Sequence, residues 1–362
     1  MARFIRRAHL DLPLLFALLT LAGLGLAVVY SAGGQDLALL QRQALRLGLG
    51  FAVLLAVAQV PPALLRQWAP WLFAGGLLLL VAVLGLGVIG KGAQRWLSLG
   101  PVRFQPSELM KLAVPMMVAW YLAEHPLPPS ARRLAVAVLL IALPAVLVAR
   151  QPDLGTALLI AAAGFFVLYM GGLSLRLMLL GGLAALPLAG VLWKFGMHDY
   201  QRNRVLTFLD PERDPLGAGY HIIQSKIALG SGGVYGKGWL NGSQSRLEFL
   251  PERSTDFIFA VFGEEFGLLG GLLLIVLYLL LITRGLYITT RAQDSFTRLL
   301  AGSLTLTFFV YVFVNTGMVS GLLPVVGVPL PLISYGGTSM VTLLAGFGIL
   351  MSIHTHRRLL PT

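Results

Sequence analysis

The chain has 362 residues, of which 57% are hydrophobic and 12% charged, with no cysteine and a formal net charge of +12. A water-soluble domain is about a quarter charged, so this is an integral membrane protein, and disulfides, thiolate nucleophiles and Cys-held metals are excluded. The positive balance fits arginine and lysine gathered at cytoplasmic ends of spans; with no basic stripe interleaved with aromatics, nucleic-acid binding is not expected.

Arg3, Arg6 and Arg7 precede an apolar stretch from Leu12 to Tyr30. The stretch outruns a signal-peptide core and more spans follow, so it reads as a first helix with a cytoplasmic N-terminus. Apolar runs of spanning length recur at about 45–60, 70–90, 106–123, 133–149, 155–172, 174–193, 257–282, 299–320 and 338–353. The fold class expected is therefore an all-α polytopic membrane protein of about ten transmembrane helices, a single domain over 1–362. An even count puts both termini in the cytoplasm, and Arg66, Arg132, Arg133, Arg176, Arg284, Arg291, Arg357 and Arg358 all fall on that side.

Four stretches do not fit a bare bundle, and all fall on the outer side: Lys91–Glu108, Arg150–Asp153, a large extracytoplasmic loop over 194–255 between helices 7 and 8, and Thr316–Thr338. Long loops on a rigid scaffold are usually functional. The large loop contains Gly230-Ser231-Gly232-Gly233-Val234-Tyr235-Gly236-Lys237-Gly238, which fails the phosphate-loop pattern because Gly238 follows the lysine. Tight turns explain these glycines, and a backbone nest for a diphosphate beside Lys226 and Lys237 is the alternative. The six histidines are scattered and no HExxH pair occurs, which argues against a zinc hydrolase.

Acidic residues gather at one span. Glu248, Glu252 and Asp256 come just before the apolar run that begins at Phe257, and Glu264 and Glu265 lie about two turns into it. An acid held in a membrane costs about 2.5–3.5 kcal/mol at the midplane, so such a cluster points to use. Two readings of Asp256 stand open. Ser254-Thr255-Asp256 can cap the helix, or the aspartate can face a cavity while a neighbour caps. Glu264 and Glu265 are either a structural pair with a basic side chain or water, or directly catalytic. Lys111, three residues after Glu108, either pairs with it or joins Arg103 in binding an anion. Trp96 is either a packing residue or part of the site.

Several motifs resemble the SEDS family (shape, elongation, division and sporulation). They are Gln105-Pro106-Ser107-Glu108, Gln151-Pro152-Asp153-Leu154-Gly155-Thr156, Pro251-Glu252 with Asp256-Phe257-Ile258, and Pro329-Leu330-Pro331 with Ser334-Tyr335-Gly336-Gly337. The loop Asp210-Pro211-Glu212-Arg213-Asp214-Pro215-Leu216-Gly217-Ala218-Gly219-Tyr220-His221 and the ending Ser352-Ile353-His354-Thr355-His356-Arg357 are similar to its RodA branch. The resemblance implies a peptidoglycan glycosyltransferase of the bacterial cytoplasmic membrane that polymerises lipid II during cell elongation. Its expected partners are a class B penicillin-binding protein that cross-links the strands and the other membrane proteins of the elongation complex. The family's essential aspartate carries over to Asp256, its upstream acid to Glu248, and its sensitive positions to Arg103, Lys111 and Trp96.

On that reading Asp256 is the general base that takes the proton of the acceptor hydroxyl, in an inverting transfer without covalent intermediate. Arg103, Lys111, Arg202, Arg204, Lys226 and Lys237 are candidates to stabilise the departing diphosphate. A divalent cation, Mg or Mn, held by Asp256 and Glu248 is a second route. Two other function classes compete: a lipid II flippase, and a non-catalytic scaffold that recruits the cross-linking enzyme.

Overall fold

The computed structural model describes residues 9–356 apart from 91–92, 100–101, 192, 195–196, 198, 214–217, 247–248 and 251. The expectations for Arg3, Arg6, Arg7, Arg357 and Arg358 lie outside the described residues.

Ten helices lie where the ten apolar runs are: α1 Leu12–Ala32, α2 Leu37–Ala58, α3 Pro62–Leu86, α4 Pro106–Ala123, α5 Ala131–Arg150, α6 Leu154–Met170, α7 Leu175–Val191, then, after the loop helices α8 Asp199–Leu209 and α9 Ala218–Ser231, α10 Ile258–Thr290, α11 Ser295–Val319 and α12 Thr338–Thr355. Seven of these are long and apolar enough to cross a membrane: α1, α2, α3, α5, α10, α11 and α12. The chain is an all-α, multi-pass membrane protein. Helices α2 and α3 begin eight residues before the apolar runs expected at 45 and 70. Hydropathy drops at Gln41, Arg42, Gln43, Arg66 and Gln67, but backbone hydrogen bonding does not. Aspartates set several starts: Asp11, Asp36, Asp153 and Asp294 each accept a backbone N–H of the first turn of α1, α2, α6 and α11.

Helices α11 and α12 form the middle of the bundle, with 67% and 61% of their apolar windows buried against 22–39% in the other five spanning helices. α12 packs on α2, α11 on α6 and α10, and α3 on α4. At the end of the bundle where α1 starts and α12 finishes, Arg284 donates to Asp11 at 2.7 Å, and His354 Nδ1 lies 2.7 Å from the same carboxylate. This joins α1, α10 and α12. Burial pushes the Asp11 carboxyl up, but hydrogen bonds from His354 and Arg284 outweigh it and hold the pKa at about 2.

At the opposite end the stretch after α3 is a feature the apolar pattern did not foresee. Val88–Gly90, Ala93–Leu99 and Val102–Phe104 form an antiparallel three-stranded sheet in the order β1-β2-β3.

Helix α10 has 33 residues and is broken at Gly267, whose φ of 65° and ψ of −163° are non-helical. The break is filled by the glycine-rich loop. Lys237 and Gly238 donate their amides to the Glu264 and Glu265 carbonyls at 3.0 and 2.9 Å, and Leu268 and Leu269 donate to Gly233 and Val234 at 3.0 and 3.1 Å. Every backbone group in a membrane needs such a partner. A Cβ on Gly267 would overlap the Gly236 amide, so the close approach requires glycine on both sides.

Candidate active site

Asp256 sits in the turn that ends one residue before α10, and it is half-buried. The capping reading fails: the N-cap of α10 is Phe257, with no side-chain cap. Residues 252–257 close instead as a tight turn. Thr255 N and Phe257 N both donate to the Glu252 carbonyl, and Thr255 Oγ1 donates to Glu252 Oε2 at 2.7 Å.

The main chain of this turn is sewn to α11 and to the loop between α11 and α12. Asn315 Nδ2 donates to the Asp256 carbonyl at 2.9 Å and to Val328 O at 2.7 Å. Ser334 Oγ donates to Thr255 O at 2.6 Å, and Tyr335 N to Ser254 O at 2.8 Å. Three successive carbonyls are thus fixed, and the carboxylate faces Gly327, where a Cβ would lie 3.5 Å from Asp256 Oδ2. Gln43 of α2 grips the other edge of the loop by donating to Ser334 O and accepting from Gly336 N. Arg46 lies over the Tyr335 ring at 4.6 Å.

One remaining motif meets the same loop through Gly155, and the other is tied to that motif through Asp153. Gly155 packs on the Val326 carbonyl. Asp153 caps α6 with one oxygen, and with the other accepts from Gln105 at 3.1 Å and lies 3.6 Å from Arg95. Arg95 also donates to the carbonyls of Gln151 and Pro152. Gln105 leads into α4, which carries Glu108 and Lys111 as a buried pair with Nζ 2.8 Å from Oε1. The internal ion pair is therefore made. The Lys111 ammonium also lies 5.3 Å from the Tyr311 ring, while Glu108 Oε2 has no partner among the described residues. A cavity of about 40 Å³ opens beside this pair, lined by Lys111, Thr307, Phe308, Tyr311 and Phe347. A smaller one of about 20 Å³ lies beyond Tyr311, lined by Pro329, Ser334 and Gly336 of the tethered loop and Ser339 of α12. Tyr311 separates the buried lysine from the loop that holds the Asp256 turn.

The large loop contributes α9. His221 stacks on Phe257 at 5.6 Å, and Ser225 Oγ donates to Val319 O at 2.9 Å. Lys226 lies across Gly321, where a Cβ would overlap its side chain. Burial pushes the His221 pKa down, with the Glu252 charge partly opposing it.

Other expected residues are placed elsewhere or committed differently. Lys237 Nζ lies 2.7 Å from Glu264 Oε1 and donates to Ser243 Oγ at 2.8 Å. Arg202 of α8 donates to the carbonyls of Trp193 and Lys194, and Arg204 is exposed on the same helix. Trp96 is half-buried on β2 opposite Val88, and Arg103 pairs through its backbone with Ser98. Glu248 lies outside the described residues. Among the described residues no group of three or more His, Asp or Glu side chains converges to hold a metal ion.

Sequence reasoning passed over Asn315, Gln43 and Tyr311. Asn315 had a signal, since an amide inside an apolar run must find a partner there. Gln43 and Tyr311 had none, because Gln43 precedes the expected run and an aromatic in a span is most often packing.

Comparison with known proteins gives consistent results. The family model described as cell cycle protein, covering FtsW, RodA and SpoVE, matches residues 10–359. The peptidoglycan glycosyltransferase MrdB of Escherichia coli K12 is 57% identical over 357 residues, covering 99% of this chain and 96% of that protein. A probable peptidoglycan glycosyltransferase FtsW of Trichlorobacter lovleyi is 37% identical over 98% of this chain and 96% of its own length. Among solved structures, a chain from a peptidoglycan synthase complex that coordinates polymerization and crosslinking superposes with a TM-score of 0.83 at 34% identity, covering 95% of this chain and 97% of that one. The rod shape determining protein RodA of Thermus thermophilus superposes at 0.72 with 32% identity, over 95% of this chain and 96% of that one.

Proposed function

Since this chain belongs to the cell cycle protein family of FtsW, RodA and SpoVE, we propose that Asp256 is the general base with which it joins the sugars of lipid II. The protein is a peptidoglycan glycosyltransferase acting in cell elongation, by its kinship over nearly the whole chain with MrdB. The observation that carries the role of Asp256 is the tethering of its turn: three consecutive carbonyls are held, two by Ser334 and Tyr335 of the closing motif and one by Asn315 of α11. Such tethering holds a reacting group still, which is where much of the rate of a two-substrate transfer originates.

The acceptor hydroxyl loses its proton to the Asp256 carboxylate as its oxygen bonds to the anomeric carbon of the donor. The bond from that carbon to the diphosphate oxygen breaks, and the polyprenyl diphosphate leaves with the electron pair. An α-linked donor then gives a β-linked product in one displacement. Lys226 and the half-buried Arg46 supply positive potential near the turn, and Lys111 supplies it from beneath Tyr311.

The active side faces away from the cytoplasm, and both termini lie inside. The even number of helices and the arginines at their ends support this topology. A class B penicillin-binding protein is the expected partner, supported by the likeness to a synthase complex in which polymerization and crosslinking are coordinated. A second reading, translocation of lipid II, takes support from the buried Glu108–Lys111 pair beside its cavity.

One experiment separates them. Purified full-length protein in detergent, where no sidedness exists, is given lipid II and the products are sized. Wild type forms glycan strands. Asp256→Asn loses about a hundredfold or more in rate, as expected for a general base, with unchanged melting temperature. Strand formation by Asp256→Asn at the wild-type rate overturns the assignment, and a wild type that makes no strands overturns the polymerase.

A further inference from the structure

We infer that Glu264 is a positioning residue for this transfer: by gripping Lys237, Ser243 and Gln244 it locks the loop over 232–244 into the break of α10, which holds α9 and the Asp256 turn as one body. The inference rests on the reading of Asp256 as the reacting carboxylate.

Glu264 is fully buried yet lies inside an apolar helix. Its Oε1 lies 2.7 Å from Lys237 Nζ and accepts from Ser243 N at 2.9 Å, Ser243 Oγ at 3.0 Å and Gln244 N at 3.1 Å, while Oε2 also receives Gln244 N at 3.2 Å. Ser231 Oγ, at the last residue of α9, donates from 3.4 Å. A buried carboxylate is stable only when saturated in this way. Its neighbour Glu265 extends the grip, accepting from Ser31 of α1 and from the backbone of Leu240 and Gly242. All of these donors except Ser31 belong to one connected stretch that begins at the end of α9.

The break at Gly267 gives this grip its consequence. Residues 258–266 are separated from the remainder of α10 by a non-helical glycine, so their placement is not set by the rest of that helix. The loop supplies a constraint in its stead, since its backbone bonds both lips of the break, beside the core packing of Ile258, Val261 and Phe262. The same loop continues back into α9, which lies on Phe257 through His221 and on Val319 through Ser225. Asp256 is thus held from the front by the loop over 328–335 and from behind by the body that Glu264 closes. Displacement of a reacting group by about 1 Å can lower a rate about a hundredfold.

The test uses Lys237→Met, whose side chain ends at the rim of the clamp, with Glu264→Gln and the double variant beside it. The full-length chain in detergent is assayed with lipid II for kcat and KM, and amide hydrogen exchange is followed by mass spectrometry. Lys237→Met is expected to lower kcat about tenfold or more with KM within about twofold. The double variant is expected to be no slower than Glu264→Gln. Exchange over 219–231 and 256–266 is expected to rise while that of α2 and α12 stays unchanged. Exchange at wild-type levels in Lys237→Met overturns the clamp whatever the activity. A raised KM at constant kcat also overturns it and makes Lys237 a substrate contact. A wild type that forms no strands removes the glycosyltransferase mechanism instead, and the exchange result still decides the clamp.

Discussion

Lys111 and Glu108 were recognisable as a pair from their spacing of three on one helical turn, and the structure places them 2.8 Å apart and almost fully buried. Removing one partner of a buried pair strands the other charge, at about 3–5 kcal/mol. Lys111→Met is therefore expected to lower the melting temperature sharply, and Glu108→Gln/Lys111→Met to recover part of the loss, as read by thermal unfolding in detergent. A double-variant loss equal to the sum of the losses of Glu108→Gln and Lys111→Met would show that the charges do not act together. The activity of Lys111→Met, compared at matched folded fraction, is expected to fall, with the larger effect on use of the donor. Asp256 was legible as a candidate, but its local surroundings were not. Ser, Thr and Asp before an apolar run describe a cap equally well, and the tethers from Asn315, Ser334 and Tyr335 come from residues 59 to 81 positions further along. Single-sequence pattern carries no information about such pairings.

The helices were readable as elements because apolar runs of spanning length have few alternatives. The break in α10 was not, because Phe257 to Ile282 is uniformly apolar apart from Glu264 and Glu265, and Gly267 is one of several glycines there. What distinguishes Gly267 is its conformation, which other residues reach only with strain of about 1–3 kcal/mol. Gly267→Ala is expected to lower the melting temperature accordingly and to reduce strand formation. Gly271→Ala in the same helix, where a Cβ meets nothing within 4 Å, is expected to leave both unchanged or to stabilise slightly. Equal behaviour of the two variants would show that the break is dispensable. The three-stranded sheet after α3 escaped for a different reason: its strands are of three, seven and three residues, too short for alternation to stand out from a loop.

Across the molecule, ties at both ends of α10 bind elements remote in sequence. At one end Asp11, Arg284 and His354 join the first, tenth and last helices. A carboxyl whose pKa is lowered in the folded state, here from 3.8 to about 2, adds stability at any pH above its ordinary value. That contribution, about 2 kcal/mol, is lost as pH falls from about 4 toward 2. The stability gap between wild type and Asp11→Asn is expected to be widest near neutrality and to narrow from about pH 4 down to about pH 2, as followed by unfolding at fixed salt. A gap that stays constant with pH would show that the charge on Asp11 is not what stabilises. At the other end, the tethered turn of residues 254–256 bears on chemical inhibition. A compound that imitates the acceptor's hydroxyls meets peptide oxygens already taken by Asn315, Ser334 and Tyr335. Its anchor in that stretch is the aspartate side chain itself, a position where escape by mutation would disable the enzyme.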